Sequence, residues 1–308
     1  MPTHPRTSSQ ASAIAAAALF LVGALIASGR FGLAETIHAQ PAPMAMYVSV
    51  LDRDGVPVPG LTAREFVVRE NGVRREVLRV EQPVTGAIDI ALLVDNTAAS
   101  SPHLQDVRQA VAAFVEAMHA AHFISLVTFA DRPTVAADYT HDLAKLTGGI
   151  GRLFPIAGSG SYLLDALIET SKGLAKRKPE RAAIIVISAE GPELGNYHHD
   201  EVLSALANSG ASMTALVLTP RTVDRVSDET RRRLIVLDRG PAQSGGVRYD
   251  LLSSMALPGK LKLVASQLAN QYRVVYARPE SLIPPDKFEV SVTRPGLEAH
   301  GTPARRRN

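Results

Sequence analysis

The 308-residue chain is 46% hydrophobic and 20% charged, with a formal net charge of +3. That supplies apolar material for a core and excludes wholesale disorder. The near balance of charge, the lack of Trp and an aromatic content of 5% argue against nucleic acid as a partner. The chain has no cysteine, which excludes disulfides, thiolate metal sites, cysteine nucleophiles and cysteine lipidation.

Residues 11–29 (ASAIAAAALFLVGALIASG) are uncharged, Arg6 precedes them, and Ala39 offers a cleavage point. Residues 1–39 therefore read as a secretory signal or, if uncleaved, a membrane anchor. Either way the expected location is periplasmic, cell-surface or secreted, with membrane contact only through that segment. Residues 45–82 alternate apolar and polar positions, with turn signals at Asp54-Gly55 and Asn71-Gly72, and predict a small antiparallel β module.

From Gly86 the pattern changes. Residues 87–95 (AIDIALLVD) form an almost unbroken apolar run, as expected of a strand buried on both faces. Val107, Ala110, Val111, Phe114, Val115 and Met118 then recur at helical spacing. A strand is expected at 123–130. Another at 133–139 pairs antiparallel with it, because the two residues between them cannot form a parallel crossover. Helices follow around 141–153 and 162–176, then a central strand at 181–191. A helix capped by Asp200 runs to Asn208, and a strand covers 211–219. Residues 221–245 read as a mobile connection around a short helix. A strand near 246–252, a helix over 258–270 and a final strand at 271–278 follow. Residues 287–296 alternate again and could rejoin the β module; 298–308 read as a disordered tail. The expected fold is α/β: a Rossmann-like, mostly parallel sheet over 86–280 with helices on both faces, plus the small antiparallel β module. Such sheets bind ligands at the carboxyl ends of their strands, where Asp95, Ser161 and Glu190 fall.

The order IDIALLVDNTAAS, ISLVTFAD, GSGSYLLDAL, AAIIVISAEGPE and MTALVLT resembles a von Willebrand factor type A domain. The β segment before it and the ending YRVVYARPESLIPPDKFEVSVTRPGL are similar to a bacterial subgroup typical of acidobacteria, so the resemblance covers roughly residues 45–297. It implies a non-enzymatic adhesion or protein-interaction module. It also implies a Mg²⁺ or Mn²⁺ site built from Asp-x-Ser-x-Ser, a distant Thr and a distant Asp, completed by a carboxylate of the protein partner. On that pattern Asp95 takes the first position, Thr97 replaces the first Ser, and Ala99 lacks the ligand of the second. Ser161 stands for the Thr. Read without a gap, Ala189 falls on the last Asp; read with one extra residue, Glu190 does, and this reading keeps an acid before Gly191. The expected metal set is thus Asp95, Thr97, Ser161 and Glu190. It is degenerate, with Ser100, Asp131, Gly160 and Glu193 in the surrounding ligand-binding loops. Mg²⁺ needs six oxygens near octahedral geometry, so one lost hydroxyl weakens such a site without abolishing it.

Two other classes stay open on the residues alone. One is a metal-free structural component of an envelope assembly; the other is a hydrolase, for which no Gly-x-Ser-x-Gly or His-Glu-x-x-His motif speaks. His198-His199-Asp200-Glu201 is expected to be a solvated helix start, because adjacent residues there point to different sides. The glycine clusters at 148–151 and 158–160 complete no nucleotide fingerprint.

Overall fold

The computed structural model describes residues 41–218, 227–279, 285 and 287–303. The segment 1–39 read as a signal or anchor lies outside them, as do residues 304–308. Among the described residues no helix is long and apolar enough to cross a membrane.

The chain begins with β1 (Pro41–Leu51), β2 (Phe66–Glu70), β3 (Val73–Arg75) and β4 (Val77–Glu81). Asn71 and Gly72 both have positive φ, 48° and 79°, as the tight turn between β2 and β3 requires. The turn at Asp54-Gly55 also forms: the Asp52 carboxylate accepts the N–H groups of Asp54 and Val56. Its second arm makes only a single bridge, Leu51 to Pro57, because β1 is paired on both edges elsewhere.

The α/β part follows as β5 (Asp89–Val94), α1 (Leu104–Met118), β6 (Phe123–Thr128), β7 (Thr134–Thr140), α2 (Leu143–Gly151), α3 (Leu163–Arg177), β8 (Ala182–Ala189), α4 (His199–Ser209), β9 (Ala211–Leu218), α5 (Asp228–Ser244), β10 (Arg248–Leu251) and α6 (Leu257–Ala269). The six strands are ordered β10-β9-β8-β5-β6-β7. All neighbours are parallel except β6 and β7, which pair antiparallel as their two-residue separation demands. Alternate residues of β5 feed opposite cores. Ile90, Leu92 and Val94 pack with α1, α2 and α6, while Ala91 and Leu93 pack with α3, α4 and α5. Each fully buried Leu, Val or Ile contributes roughly 1.5–3 kcal/mol, so burial on both faces explains the unbroken apolar run.

The last strands are β11 (Tyr272–Pro279), β12 (Phe288–Val292) and β13 (Glu298–Pro303). None of them joins the parallel sheet. β11 lies between β1 and β4, giving the order β13-β1-β11-β4, and β12 pairs with β2 in a second antiparallel sheet, β12-β2-β3. Their shared core includes Met46, Val48, Phe66, Val68, Tyr272 and Tyr276. The tail expected to be disordered from residue 298 instead supplies β13, and Thr302 donates to the Ser244 carbonyl at 2.6 Å. Backbone pairing with β1 orders a segment whose polar composition gave no apolar signal.

Two further expectations change. Where a short helix within a mobile connection was expected, the described residues carry α5, seventeen residues long; residues 221–226 lie outside the described residues. Val236, Leu237, Gly240, Pro241 and Ser244 form its buried stripe, which the surrounding arginines hid. Helix α4 is capped by His198 and not by Asp200.

Candidate functional site

Strand order places a switch point between β5 and β8: the chain leaves β5 toward β6 on one side, while β8 lies on the other. The loops beyond those two strands diverge, which opens the crevice where such sheets bind ligands. Asp95 directly follows β5 and Glu190 directly follows β8.

Asp95 is 2% exposed. Its Oδ1 accepts the Thr97 N–H and its Oδ2 accepts the Ala189 N–H, both at 2.9 Å. The Thr97 hydroxyl also bonds to it. Burial holds the Asp95 carboxyl above its ordinary range, opposed by those hydrogen bonds and by the charge of Arg233. Ala99 points its methyl at Gly191: a Cβ on Gly191 would lie 3.1 Å from it. Ser100 is buried and donates to the Thr97 carbonyl at 2.9 Å inside a single 3-10 turn.

The second group centres on Ser161 and Glu193. The Ser161 hydroxyl donates to Glu193 Oε2 at 2.8 Å and accepts the Leu163 N–H at 3.2 Å. The Ser161 backbone bridges Ala130 on one side and Glu193 on the other. Glu193 Oε1 accepts from Leu164 and Gly195 at 3.4 and 3.3 Å. Burial pushes the Glu193 carboxyl up to about 7. Asp165 is raised by burial too, and its Oδ2 has no hydrogen-bond partner. A Cβ on Gly195 would collide with that oxygen and with Glu193 Oε1, so both carboxylates flank the same glycine.

Asn96 joins the two groups. Its Oδ1 accepts the Ala130 N–H at 3.0 Å, its Nδ2 donates to the Phe154 carbonyl at 3.2 Å, and its own carbonyl accepts from Ile156 at 2.9 Å. Gly160 meets the 192–194 loop closely, since a Cβ there would strike the Leu194 side chain and lie 3.1 Å from the Pro192 carbonyl. Asp131 is exposed, with φ of 59°, and its N–H reaches the Gly160 carbonyl. Glu190 is partly exposed and raised by burial, with Arg233 acting against that.

These residues therefore gather on one face, in two clusters: Asp95 and Thr97 with Ala189, and Ser161 with Glu193. As arranged they match a resident Mg²⁺ or Mn²⁺ poorly. Both Asp95 oxygens and the Ser161 hydroxyl are engaged inside the fold, and a methyl fills the place of a third ligand. A different cluster is tighter than its spacing suggested. The candidate ligand atoms of His198, His199 and Asp200 lie within 4.8 Å of one another. As the extended N-cap residue, His198 folds back over the first turn of α4, and its Nδ1 accepts the Asp200 N–H at 3.5 Å. Sequence reasoning missed Asn96, Asp165 and Arg233. Arg233 was legible in principle: it lies three and four residues before Val236 and Leu237, on the buried stripe of α5.

Among solved structures, one of proximal thread matrix protein 1 from the mussel byssus, with a zinc-occupied MIDAS motif, is 18% identical over 65% of this chain and 49% of that one, with a TM-score of 0.50. The von Willebrand domain of the type V pilus tip protein Mfa5 from Porphyromonas gingivalis is 23% identical over 36% of this chain and 40% of that one, with a TM-score of 0.33. A von Willebrand factor type A protein from Catenulispora acidiphila is 8% identical over 88% of this chain and 75% of that one, with a TM-score of 0.47. The chain thus spans less than half of the thread matrix and pilus-tip chains. At these identities the likeness concerns the fold alone. No curated protein matches the sequence. Residues 90–191, from the second residue of β5 to the glycine after Glu190, match the family of the von Willebrand factor type A domain.

Proposed function

We propose that the protein is an exported, non-enzymatic interaction module of adhesion type. Its protein partner docks on the loops beyond β5, β6 and β8. One observation carries this reading. Phe154, Ile156 and Leu194 are 60%, 38% and 45% exposed, yet each sits on a loop whose backbone is fastened to Asn96 or Ser161. Large apolar side chains held outward on ordered loops suit a docking surface, because little conformational freedom is lost when they are covered. The Arg108 guanidinium stacks 4.8 Å from the Phe154 ring centre and steadies it further. The family match at 90–191 supports the same reading. So does the occurrence of a similar fold in a byssal matrix protein. The β module, with β11 to β13, serves in this reading as a support fused to the A-type domain, as in the bacterial subgroup.

The hydrolase alternative finds little support. Ser254 does meet a histidine and an acid, with its hydroxyl donating to Asp106 Oδ2 at 2.6 Å and lying 3.2 Å from His103 Nδ1. The serine proton goes to the carboxylate, so the histidine does not stand between serine and acid as a triad requires.

The test is capture of a partner from the envelope fraction with the parent protein and with Phe154→Ser/Leu194→Ser. Loss of the captured partner in the variant, with an unchanged melting curve, is expected. Equal capture by both proteins would assign binding to another surface.

A further inference from the structure

The acids of this face have a cation that the family pattern does not include. Arg233 is 2% exposed and among the largest fully buried side chains of the molecule. It lies one turn after Thr230 on the same side of α5, and the Thr230 hydroxyl accepts the Glu193 N–H at 3.3 Å. The arginine is thus held beside the Glu193 loop from within the fold. Its Nε and Nη1 have no hydrogen-bond partner. A buried guanidinium left in that state is costly unless opposite charge surrounds it. Among the described residues Arg233 makes no direct ion pair, and its charge acts at longer range on Asp95, Glu190 and Glu193, opposing the rise that burial imposes on each.

We propose that Arg233 is the resident cation of this face, standing in for a divalent metal, and that Arg233 and the Ala99 methyl together exclude such an ion. Arg233 then supplies positive charge to these acids without a metal, and a second cation would be opposed by the first. Partner chemistry follows. A partner carboxylate has no metal to complete, whereas the exposed Asp131 and the partly exposed Glu190 favour basic side chains beside an apolar contact. This deepens the docking proposal and rests on the same face. Its test reads metal alone, so either reading can fail without the other.

The experiment is Mn²⁺ titration of the full chain, followed by the paramagnetic signal of bound ion and by melting temperature, on the parent, Asp95→Asn, Ala99→Ser and Ala99→Ser/Arg233→Met. The parent and Ala99→Ser are expected to show no Asp95-dependent binding at millimolar Mn²⁺. The double variant should bind at least about tenfold more tightly than Ala99→Ser, because a nearby like charge has gone. Mn²⁺ held equally by the parent and by Asp95→Asn sits elsewhere and agrees with the proposal. Mn²⁺ bound by the parent and lost in Asp95→Asn overturns it. A folded double variant that binds no better than Ala99→Ser overturns it as well. If the double variant does not fold, the parent and Asp95→Asn still decide the matter.

Discussion

Glu193→Gln tests the electrostatics of the face most directly. Burial raises this carboxyl from 4.5 to about 7 in the folded protein, while in the unfolded chain it titrates near its ordinary value. The folded state therefore holds the proton more tightly than the unfolded state between those two values. Its contribution to stability is full below the unfolded value and is lost as pH rises through the folded one. Between pH 5 and pH 8 the loss is about 2.5 kcal/mol by proton linkage. Glutamine cannot titrate, so the variant lacks this term. It also incurs a constant cost of about 1 kcal/mol for the disturbed Ser161 hydrogen bond, the same at every pH. The assay is urea unfolding of parent and variant at half-unit steps across that range. The difference between the two proteins cancels other groups, such as His122 and His300, which burial shifts downward. The stability of the parent relative to the variant should fall as pH rises. Parallel curves would refute the assignment of a buried, proton-binding Glu193.

Three further substitutions probe the scaffold. Glu70 is buried against Arg278 at 3.2 Å and also receives Tyr276, both from the other antiparallel sheet, and Arg75 from the neighbouring strand of its own sheet. Glu70→Ala should cost about 3 kcal/mol in urea unfolding, because a buried charge loses its counterion. Asn96→Ala leaves the buried Ala130 N–H without its acceptor and should cost about 1–3 kcal/mol, with faster amide exchange at 130. In Gly246→Ala a Cβ would strike the backbone carbonyl of Met213. A melting curve should register about 3 kcal/mol or more of lost stability, since backbone cannot step aside as a side chain can.

Much of the parallel sheet was legible because burial on both faces leaves long apolar runs, and because two residues between β6 and β7 permit only a hairpin. Helix α5 was hidden by Arg231, Arg232, Arg233 and Arg239, which mask an apolar stripe that the structure buries. β13 was hidden for another reason: backbone hydrogen bonds to β1 form it, and no side-chain periodicity records them. At the site, the position of the strand ends and the resemblance to the family pattern pointed to Asp95 and Ser161, while Glu193 was expected only in a surrounding loop. Neither signal could say that the Ser161 hydroxyl donates to Glu193, nor that Ala99 faces Gly191, because both contacts join residues far apart in sequence. The Asp165 oxygen and the Arg233 guanidinium belonged to no motif, and only the fold brings them to this face.

An unrelieved buried carboxylate is expensive, and this face relieves its acids in three ways. Asp95 takes two backbone N–H groups and a hydroxyl, Glu193 binds a proton near neutral pH, and Arg233 supplies charge to both and to Glu190. A metal centre relieves the same acids differently, and it loses its ion in acid because protons compete for the ligands. The face described here gains stability in acid because Glu193 takes up a proton. The two arrangements therefore respond to pH with opposite sign. A parent protein whose loop face loosens as pH falls from 7 to 5, by amide exchange at residues 161–164 and 193–195, would have to be read as the metal-bound kind.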